Sequence, residues 1–274
     1  HEGERQLQAQ AATAERLAEV GPRILRDHLP QQHREFYPLL PALIVGGLDA
    51  QAQPWASVLA GAPGFVRAPT DRLLTIAAQP LPHDALHGTL QPGAPLGLLG
   101  IQPHTVRRNR ANGQAAWRDE RGFGIAVAQT FGNCPKYIAR REWLHQPVPR
   151  DVTPQVRRAA GLDAAMRAMI EQADTAFIAT AHPLAGLSAQ PAHGVDVSHR
   201  GGPPGFLRIE GNDTLMLEDY PGNGFFNTFG NLALNPRCGL LLLDFDRGAW
   251  LQLAARARLD GPGTHGGMRR LVLQ

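Results

Sequence analysis

The segment PGFVRAPTDRLLTIAA, residues 63–78, returns about 140 residues later as PGFLRIEGNDTLMLED, residues 204–219. Each version passes from Pro-Gly-Phe through an aliphatic residue, an arginine and a polar turn into an aliphatic stretch typical of a β-strand. Two further pairs of segments keep nearly the same offset, namely residues 41–61 with 175–195 and residues 90–101 with 234–245. Three pairs in one order predict the duplication of one fold, and two unrelated β-rich halves are the alternative.

The composition indicates a β-rich globular chain. Its 274 residues are 43% hydrophobic and include 30 Gly and 23 Pro, which favours many turns and short strands. We therefore expect a mainly β fold with peripheral helices, an α+β chain built from two small antiparallel barrels.

Charge and cysteine content narrow the class of protein. The net charge is +3 without a clustered basic run, so we expect no nucleic-acid partner, and no apolar run approaches the length of a membrane span. Cys134 and Cys238 form neither a CxxC pair nor a disulfide framework, which favours a reducing, cytoplasmic location. The histidines show no metal-ligand spacing, so we expect no metal site.

The repeat divides the chain into four segments. They are a helical N-terminal segment (residues 1–35), the first copy (36–144), a Pro-rich linker with a helix (145–172) and the second copy (173–274). Helical spacing predicts one helix over about residues 2–20 and another over residues 154–172, the second interrupted or kinked near Gly161. The second of these has an apolar stripe that we expect to pack on the core, formed by Leu162, Met166, Met169 and Ile170.

The second copy contains a polar stretch, DVSHRGGPPGFLRI, that begins at Asp196. Thirteen residues separate Pro191 from Pro204, whereas nine separate the matching Pro54 and Pro63 of the first copy. We interpret the extra length as a polar loop that could bind a ligand, because glycine permits close approach and arginine binds phosphate. An exposed hairpin turn is the alternative. The loop is centred on Ser198, His199, Arg200, Gly201 and Gly202.

Two more polar positions follow along the chain. In YPGNGFFNTFGNLALNP, residues 220–236, a turn leads into a short helix that Asn223 or Asn227 could cap. A helix N-terminus favours an anion such as phosphate, and Asn227 and Thr228 would add side-chain donors, although capping alone also explains the asparagines. Gln252, in a predicted strand, could read the edge of a ring, and a buried glutamine with satisfied hydrogen bonds is the alternative.

These stretches, in this order, resemble the pyridoxamine 5'-phosphate oxidase-like family of FMN-binding split barrels. SHRGG at residues 198–202, FNTFGNL at 226–232 and FGNCPKYI at 131–138 are similar to its two-copy branch of FMN-dependent oxidoreductases. The resemblance spans roughly residues 174–259, and more faintly residues 36–137. It implies two tandem split β-barrels, FMN at a barrel–barrel interface, a small-molecule electron donor or acceptor, and a homodimer.

The resemblance also implies roles for individual residues. Side chains of the SHRGG stretch would lie along the flavin and its phosphate, the Asn/Thr cluster would hold the phosphate, and Gln252 would reach the isoalloxazine edge. Lys136 and Tyr137 would close the cleft. The cofactor-binding set is Asp196, Ser198, His199, Arg200, Gly201, Gly202, Asn223, Asn227, Thr228, Gln252, Lys136 and Tyr137.

One departure from the family concerns the substrate. The Ser-Arg-Lys phosphate cluster of the oxidase is replaced here by Phe226, Asn227 and Thr228, so pyridoxamine phosphate is not the expected substrate. Two other classes stay open, namely a haem-binding or haem-degrading split barrel with His199 or His193 as ligand, and a non-catalytic flavin-binding module. Cys134 is interpreted either as a reactive thiol near a helix N-terminus or as small buried packing.

Overall fold

A computed structural model describes residues 1–132, 134–143, 154–220, 222, 224–261 and 269–274. Within these ranges the chain is mainly β, with two seven-stranded antiparallel sheets and few helices. The Pro-rich linker expected from residue 145 falls largely on residues 144–153, outside the described residues, as does Asn223. No helix within the described ranges is both long enough and apolar enough to cross a membrane.

The two sheets have the same strand order. The first contains β1 (Ala42–Leu48), β2 (Pro54–Ala60), β3 (Val66–Thr70), β4 (Leu73–Ile76), β5 (Pro95–Gln102), β6 (Arg107–Arg118) and β7 (Phe123–Gly132). The second contains β8 (Thr175–Ala181), β9 (Val195–Gly201), β10 (Leu207–Glu210), β11 (Thr214–Glu218), β12 (Arg237–Asp244), β13 (Ala249–Asp260) and β14 (Arg270–Leu273). The orders are β2-β1-β5-β6-β7-β4-β3 and β9-β8-β12-β13-β14-β11-β10, so corresponding strands have corresponding neighbours.

Each sheet also has its own apolar core. The first core is formed by β1 and β4–β7 together with side chains such as Phe36 and Tyr37, which are almost fully buried. The second core contains Leu240, Leu242 and Leu271, and α4 (Ala164–Gln172) adds Ile170 to it. The apolar stripe predicted for residues 162–170 therefore packs on the core as expected.

The helices differ from the sequence prediction within the first predicted segment and at the start of the second. The helix expected over residues 2–20 is two helices, α1 (Glu2–Gln10) and α2 (Ala14–Ile24), because Ala12 takes a left-handed conformation with φ of 51°. The helix expected from residue 154 begins only at Ala164, because the Asp163 carboxylate caps it by accepting hydrogen bonds from two backbone N–H groups. The others are α3 (Gln31–Phe36), two short 3-10 turns and α5 (Asn227–Leu234).

The polar stretch expected to be a loop is a strand. Residues 195–201 form β9 and pair along their length with β8, because Val195 and Val197 supply buried apolar side chains and the backbone completes a ladder. Connections of five residues, 61–65 and 202–206, follow β2 and β9 alike. The extra length of the second copy therefore lies before the strand, in the β8–β9 connection over residues 182–194.

The two sheets meet at points where a side chain would not fit. Strand β9 packs on β5 and β1 of the first sheet, and β2 packs on β12 and β8 of the second. A Cβ atom on Gly97 of β5 would lie 2.7 Å from the Val195 carbonyl oxygen, and one on Gly239 of β12 would overlap the Pro54 carbonyl oxygen. Apolar side chains from both sheets surround these contacts, namely Ile44, Ala56, Leu99, Ile101, Phe177, Ala179, Val197 and Leu241.

We expect Gly239→Ala to lower the free energy of unfolding by about 1–3 kcal/mol, because its Cβ would meet backbone atoms that cannot rotate away. Urea denaturation would measure the change. Gly21→Ala is the matched control: it lies in α2 with nothing within 4 Å, so alanine should be neutral or stabilising there. Equal midpoints for Gly239→Ala and the unmodified chain would contradict the close packing of the sheets.

Candidate anion-binding site

A cavity of about 280 Å³ lies between the two sheets. Strand β9, the end of β11 and the start of α5 form one wall, while β6 and the residues after β7 bring side chains from the first sheet. Eight of the predicted site residues line it, namely Lys136, Tyr137, Ser198, His199, Arg200, Gly201, Asn227 and Thr228. The structure therefore brings most of the predicted set together, at an interface between the two halves of one chain.

A buried ion pair holds the floor of this site together. Arg110 of β6 donates to the Asp196 carboxylate at 2.7 Å, and both side chains are more than nine-tenths buried. Its second terminal nitrogen donates to the Ser198 hydroxyl, which in turn lies 2.8 Å from the Thr228 hydroxyl. Asp196 is thus a structural partner behind the cavity wall, because its charge is already satisfied by Arg110 and by the Ser198 hydroxyl at 3.1 Å.

Asn227 has a different role from the predicted cap. It is the first residue of α5, and the preceding Phe226 has φ of 60° and makes no side-chain cap. The Asn227 amide instead donates to Glu4 of α1 at 2.6 Å and accepts from Arg110 at 3.3 Å. These bonds fix the start of α5 against the ion pair, and Asn227 and Thr228 both line the cavity.

The tautomer of His199 follows from its neighbour. Arg108 of β6 approaches the His199 Nδ1 atom at 2.8 Å, and an arginine can only donate, so Nδ1 accepts and Nε2 bears the proton. Burial lowers the pKa of His199 well below its usual range, and the positive charges of Arg108, Arg200 and Arg141 lower it further. The ring is therefore neutral, is 7% exposed, and its Nε2–H has no hydrogen-bond partner among the described residues.

Two further guanidinium groups lie at the cavity without full neutralisation. Burial lowers the pKa of Arg108 to about 10, and the nearby Arg110 and Arg200 add to this effect. Burial likewise lowers the pKa of Arg200, whose guanidinium lies 5.0 Å from the centre of the Phe229 ring. The Nε atoms of Arg108 and Arg200 find no partner among the described residues, although both groups stay protonated at neutral pH.

The acidic groups at the cavity do not balance these cations. Glu218 lies 3.4 Å from Arg208 in an exposed ion pair. Burial raises the pKa of Asp219, and this carboxyl group interacts favourably with Arg200. The cavity is lined by these two carboxyl groups but by four cationic side chains, namely Arg108, Arg110, Lys136 and Arg200. The described part of the site therefore offers several N–H donors and surplus positive charge, and an anion with several acceptor oxygens complements it.

Two tyrosines form one rim of the cavity. The Tyr137 and Tyr220 rings are stacked, with centroids 5.2 Å apart and an angle of 27° between their planes. Tyr137 has φ of 65°, and its carbonyl lies against Gly201, where a Cβ atom would overlap it. Gly202, by contrast, lies beyond the end of β9 and packs on Phe206 rather than lining the cavity.

Gln252 lies outside this site. Its amide donates to the Ala56 carbonyl at 2.8 Å and to Asp84 at 3.1 Å, and it lines a second, larger cavity of about 770 Å³. Asp84 also accepts from Ser57 at 2.6 Å, so this polar group is internally satisfied. Gln252 is half-buried with its hydrogen bonds satisfied, which agrees with the alternative of a satisfied glutamine, and it does not line the first cavity. Its contact with a flavin edge stays a prediction.

Gln252 and Arg110 are nonetheless positional equivalents. Arg110 pairs with Leu99 of β5, and Leu99 is two residues after Gly97. In the same way Gln252 pairs with Leu241 of β12, and Leu241 is two residues after Gly239. One strand position therefore supplies a cation to the first cavity and a neutral amide to the second.

Sequence reasoning left lining residues from both halves out of the predicted set. They include Arg108, Arg110 and Cys134 from the first half and Asp219 and Tyr220 from the second. The segment RRNRANG contains a signal that could have found two of them. Arg108 and Arg110 are two residues apart, so in a strand both side chains lie on the same face.

Comparisons with known proteins give no family. No protein-family model matches the chain, and no curated protein does either. Among solved structures, HupZ from Group A Streptococcus is 12% identical with a TM-score of 0.29, covering 38% of this chain and 93% of its own. Its H111A form is 14% identical with a TM-score of 0.30, covering 38% and 98%.

Two other solved structures match over a longer part of the chain. The Bacillus subtilis inhibitor of motility MotI/DgrA is 9% identical with a TM-score of 0.24, covering 86% of this chain and 87% of its own. The K. pneumonia MrkH–c-di-GMP complex is 9% identical with a TM-score of 0.25, covering 88% and 80%. At such TM-scores none of these likenesses assigns a family or a ligand to this chain.

We expect Asp196→Ala to lower the free energy of unfolding by about 3–5 kcal/mol, because it leaves the Arg110 charge buried without its partner. Chemical denaturation followed by tryptophan fluorescence would measure it. Arg247→Ala removes a pair whose arginine is 81% exposed and should change stability by no more than about 1 kcal/mol. Similar losses for both variants would show that the buried pair is not structural.

Acidification should destabilise the protein through His199. Its folded-state pKa lies below that of an unfolded histidine, about 6.5, so the unfolded state binds the proton first. Stability is then full above about pH 6.5 and falls as the pH drops below it, by up to about 1.4 kcal/mol per pH unit for this group. In His199→Gln, which keeps an acceptor for Arg108, the slope between pH 6 and 5 should be smaller; an unchanged slope contradicts the assignment.

Proposed function

We propose that the cavity binds FMN and that the chain is an FMN-dependent oxidoreductase. The observation that supports this most is the group of donor-bearing side chains that line one cavity, Arg108, Arg200 and His199, whose buried Nε and Nε2 atoms have no hydrogen-bond partner among the described residues. A phosphate dianion would supply acceptor oxygens to each of them and would offset the surplus positive charge. The N-terminus of α5 would also favour an anion through its backbone N–H groups and the Thr228 hydroxyl.

The size of the cavity agrees with a mononucleotide. Its volume of about 280 Å³ lies just under the range of roughly 300–1,000 Å³ that is usual for small-molecule sites. Tyr137 and Tyr220 provide flat aromatic surface beside the donors, which suits a conjugated ring on the same ligand.

In the proposed enzyme the flavin supplies the redox chemistry, and the chain's own residues bind it and set its charge environment. Arg108 and Arg200 would favour any anionic form of the ligand over a neutral one, because their positive charges lie in a partly buried, poorly screened site. His199 would act as a neutral hydrogen-bond donor, because its lowered pKa disfavours protonation of the ring to an imidazolium cation.

We also propose that the two sheets are copies of one split barrel. The shared strand order, the equivalent glycines Gly97 and Gly239, and the equivalent positions of Arg110 and Gln252 are what a duplication would produce. Arg108 and Arg110 reach the site from within the same chain, so one chain would suffice to bind one FMN. The homodimer expected from the resemblance is then not required for the site.

The haem alternative fits this geometry less well. An axial histidine needs a free lone pair on the nitrogen facing the iron, and the lone pair of His199 is at Nδ1, where Arg108 occupies it. His193 lies outside the cavity, stacked on His182 with ring centroids 3.9 Å apart. Neither candidate ligand is therefore placed as the haem hypothesis requires.

The decisive experiment compares FMN with riboflavin, which has the same ring but no phosphate. We expect FMN to bind more tightly, and Arg200→Gln to weaken FMN by about 10- to 150-fold, on the order of 1.5–3 kcal/mol, while riboflavin changes little. Titration followed by quenching of flavin fluorescence would give both dissociation constants.

Gln252→Ala is the matched control, because it removes the positional equivalent of Arg110 from the other cavity and should leave FMN affinity unchanged. Equal binding of FMN and riboflavin, or no binding of either, would contradict the proposal. If FMN binds but neither nicotinamide donors reduce it nor oxygen reoxidises it, the chain is instead a non-catalytic flavin-binding module.

A further inference from the structure

Cys134 shares the anion cavity with its arginines. It follows β7 in an irregular segment rather than at the N-terminus of a helix, is half-buried, and lines the same cavity as Arg108 and Arg200. Arg108 and Cys134 are close enough to interact electrostatically, and Lys136 lies two residues further along the chain. A small molecule that enters the cavity therefore comes close to a thiol.

A second observation points to the kind of molecule that enters. The His199 side chain is 7% exposed, and its Nε2–H has no partner among the described residues although it lines this cavity. Together with the unpaired Nε atoms of Arg108 and Arg200, it makes the cavity attractive to anions rather than to cations or neutral molecules. The positive charge raises the local concentration of anionic reagents beside the thiol.

We propose that Cys134 is a modification site for small anionic disulfides, and that the mixed disulfide formed there blocks the cavity. In the reaction the Cys134 sulfur attacks one sulfur of the disulfide RSSR, the S–S bond breaks, and a Cys134–S–S–R bond forms. The other half leaves as a thiolate that takes up the proton lost by Cys134, so the disulfide is the oxidant and no further reagent is needed. The anionic groups of R would then pair with Arg108 and Arg200.

The second cysteine serves as an internal control. Cys238 is fully buried in β12, its Sγ lies 3.7 Å from the Ala255 carbonyl oxygen, and burial raises its pKa to about 12. A reagent cannot reach it in the folded chain, and its thiolate fraction at neutral pH is negligible. Modification of the folded protein should therefore occur at Cys134 alone.

The test compares two disulfides of opposite charge on the intact protein. Oxidised glutathione is anionic and cystamine is cationic, and peptide mass spectrometry after timed incubation gives the rate at each cysteine. We expect oxidised glutathione to modify Cys134 at least about tenfold faster than cystamine at low salt. The ratio should shrink in high salt, in Arg108→Gln, and when inorganic phosphate is added as a competitor.

Equal or faster reaction with cystamine, or modification of Cys134 only after unfolding in urea, would overturn the proposal. The salt dependence is measured on the unmodified sequence, so the outcome does not depend on whether Arg108→Gln folds. The blocking effect rests on the proposed function, and FMN bound beforehand should protect Cys134. If FMN does not bind but the preference for oxidised glutathione remains, the thiol proposal stands and the cofactor proposal fails.

Discussion

The close contact between the two sheets is the constraint on which the remaining structure depends. Strands β9 and β2 pack on the opposite sheet at Gly97 and Gly239, where backbone lies against backbone and no side chain fits. This proximity lets Arg110, on a strand of the first sheet, reach the Asp196 carboxylate on a strand of the second. With the sheets in contact both charges are buried, and removing either partner would leave the other charge buried and unpaired, which is costly.

The site is a consequence of this arrangement. Once Arg110 is paired with Asp196, the next arginine on the same face, Arg108, lies beside His199 and fixes its tautomer. Arg200 approaches from the other sheet. Cations from two sheets thus converge on one volume that neither sheet encloses alone, and the carboxyls lining it do not neutralise them.

The equivalent cavity shows how the same framework can host other chemistry. Gln252 replaces the arginine, and Asp84 and Ser57 complete a hydrogen-bonded group whose partners are all internal. Trp250 and Trp55 line that cavity as well, and its arginines, Arg157 and Arg158, are matched in number by the carboxylates Asp84 and Asp213. Surplus donors and surplus charge are therefore confined to the first of the two cavities among the described residues.

Much of the site could be predicted from sequence because the residues lie in short recognisable segments, such as Ser198–Arg200 and Asn227–Thr228. The misplaced parts have physical causes. The expected loop is the strand β9, since alternating valines outweigh the two glycines that follow. Gln252 lies at the second cavity, apart from the other predicted residues, because a single chain position does not reveal which of two similar interfaces it faces.

By itself the sequence determined the β-rich class, through its short aliphatic segments separated by turn residues. It also identified most of the polar residues that meet at the site. Only the tertiary structure decided that the first half supplies Arg108 and Arg110 to that site, that Asp196 neutralises one of them, and that the other stays available. The reason is that these are contacts between residues more than eighty positions apart, which depend on how two sheets pack and leave no local pattern in the chain.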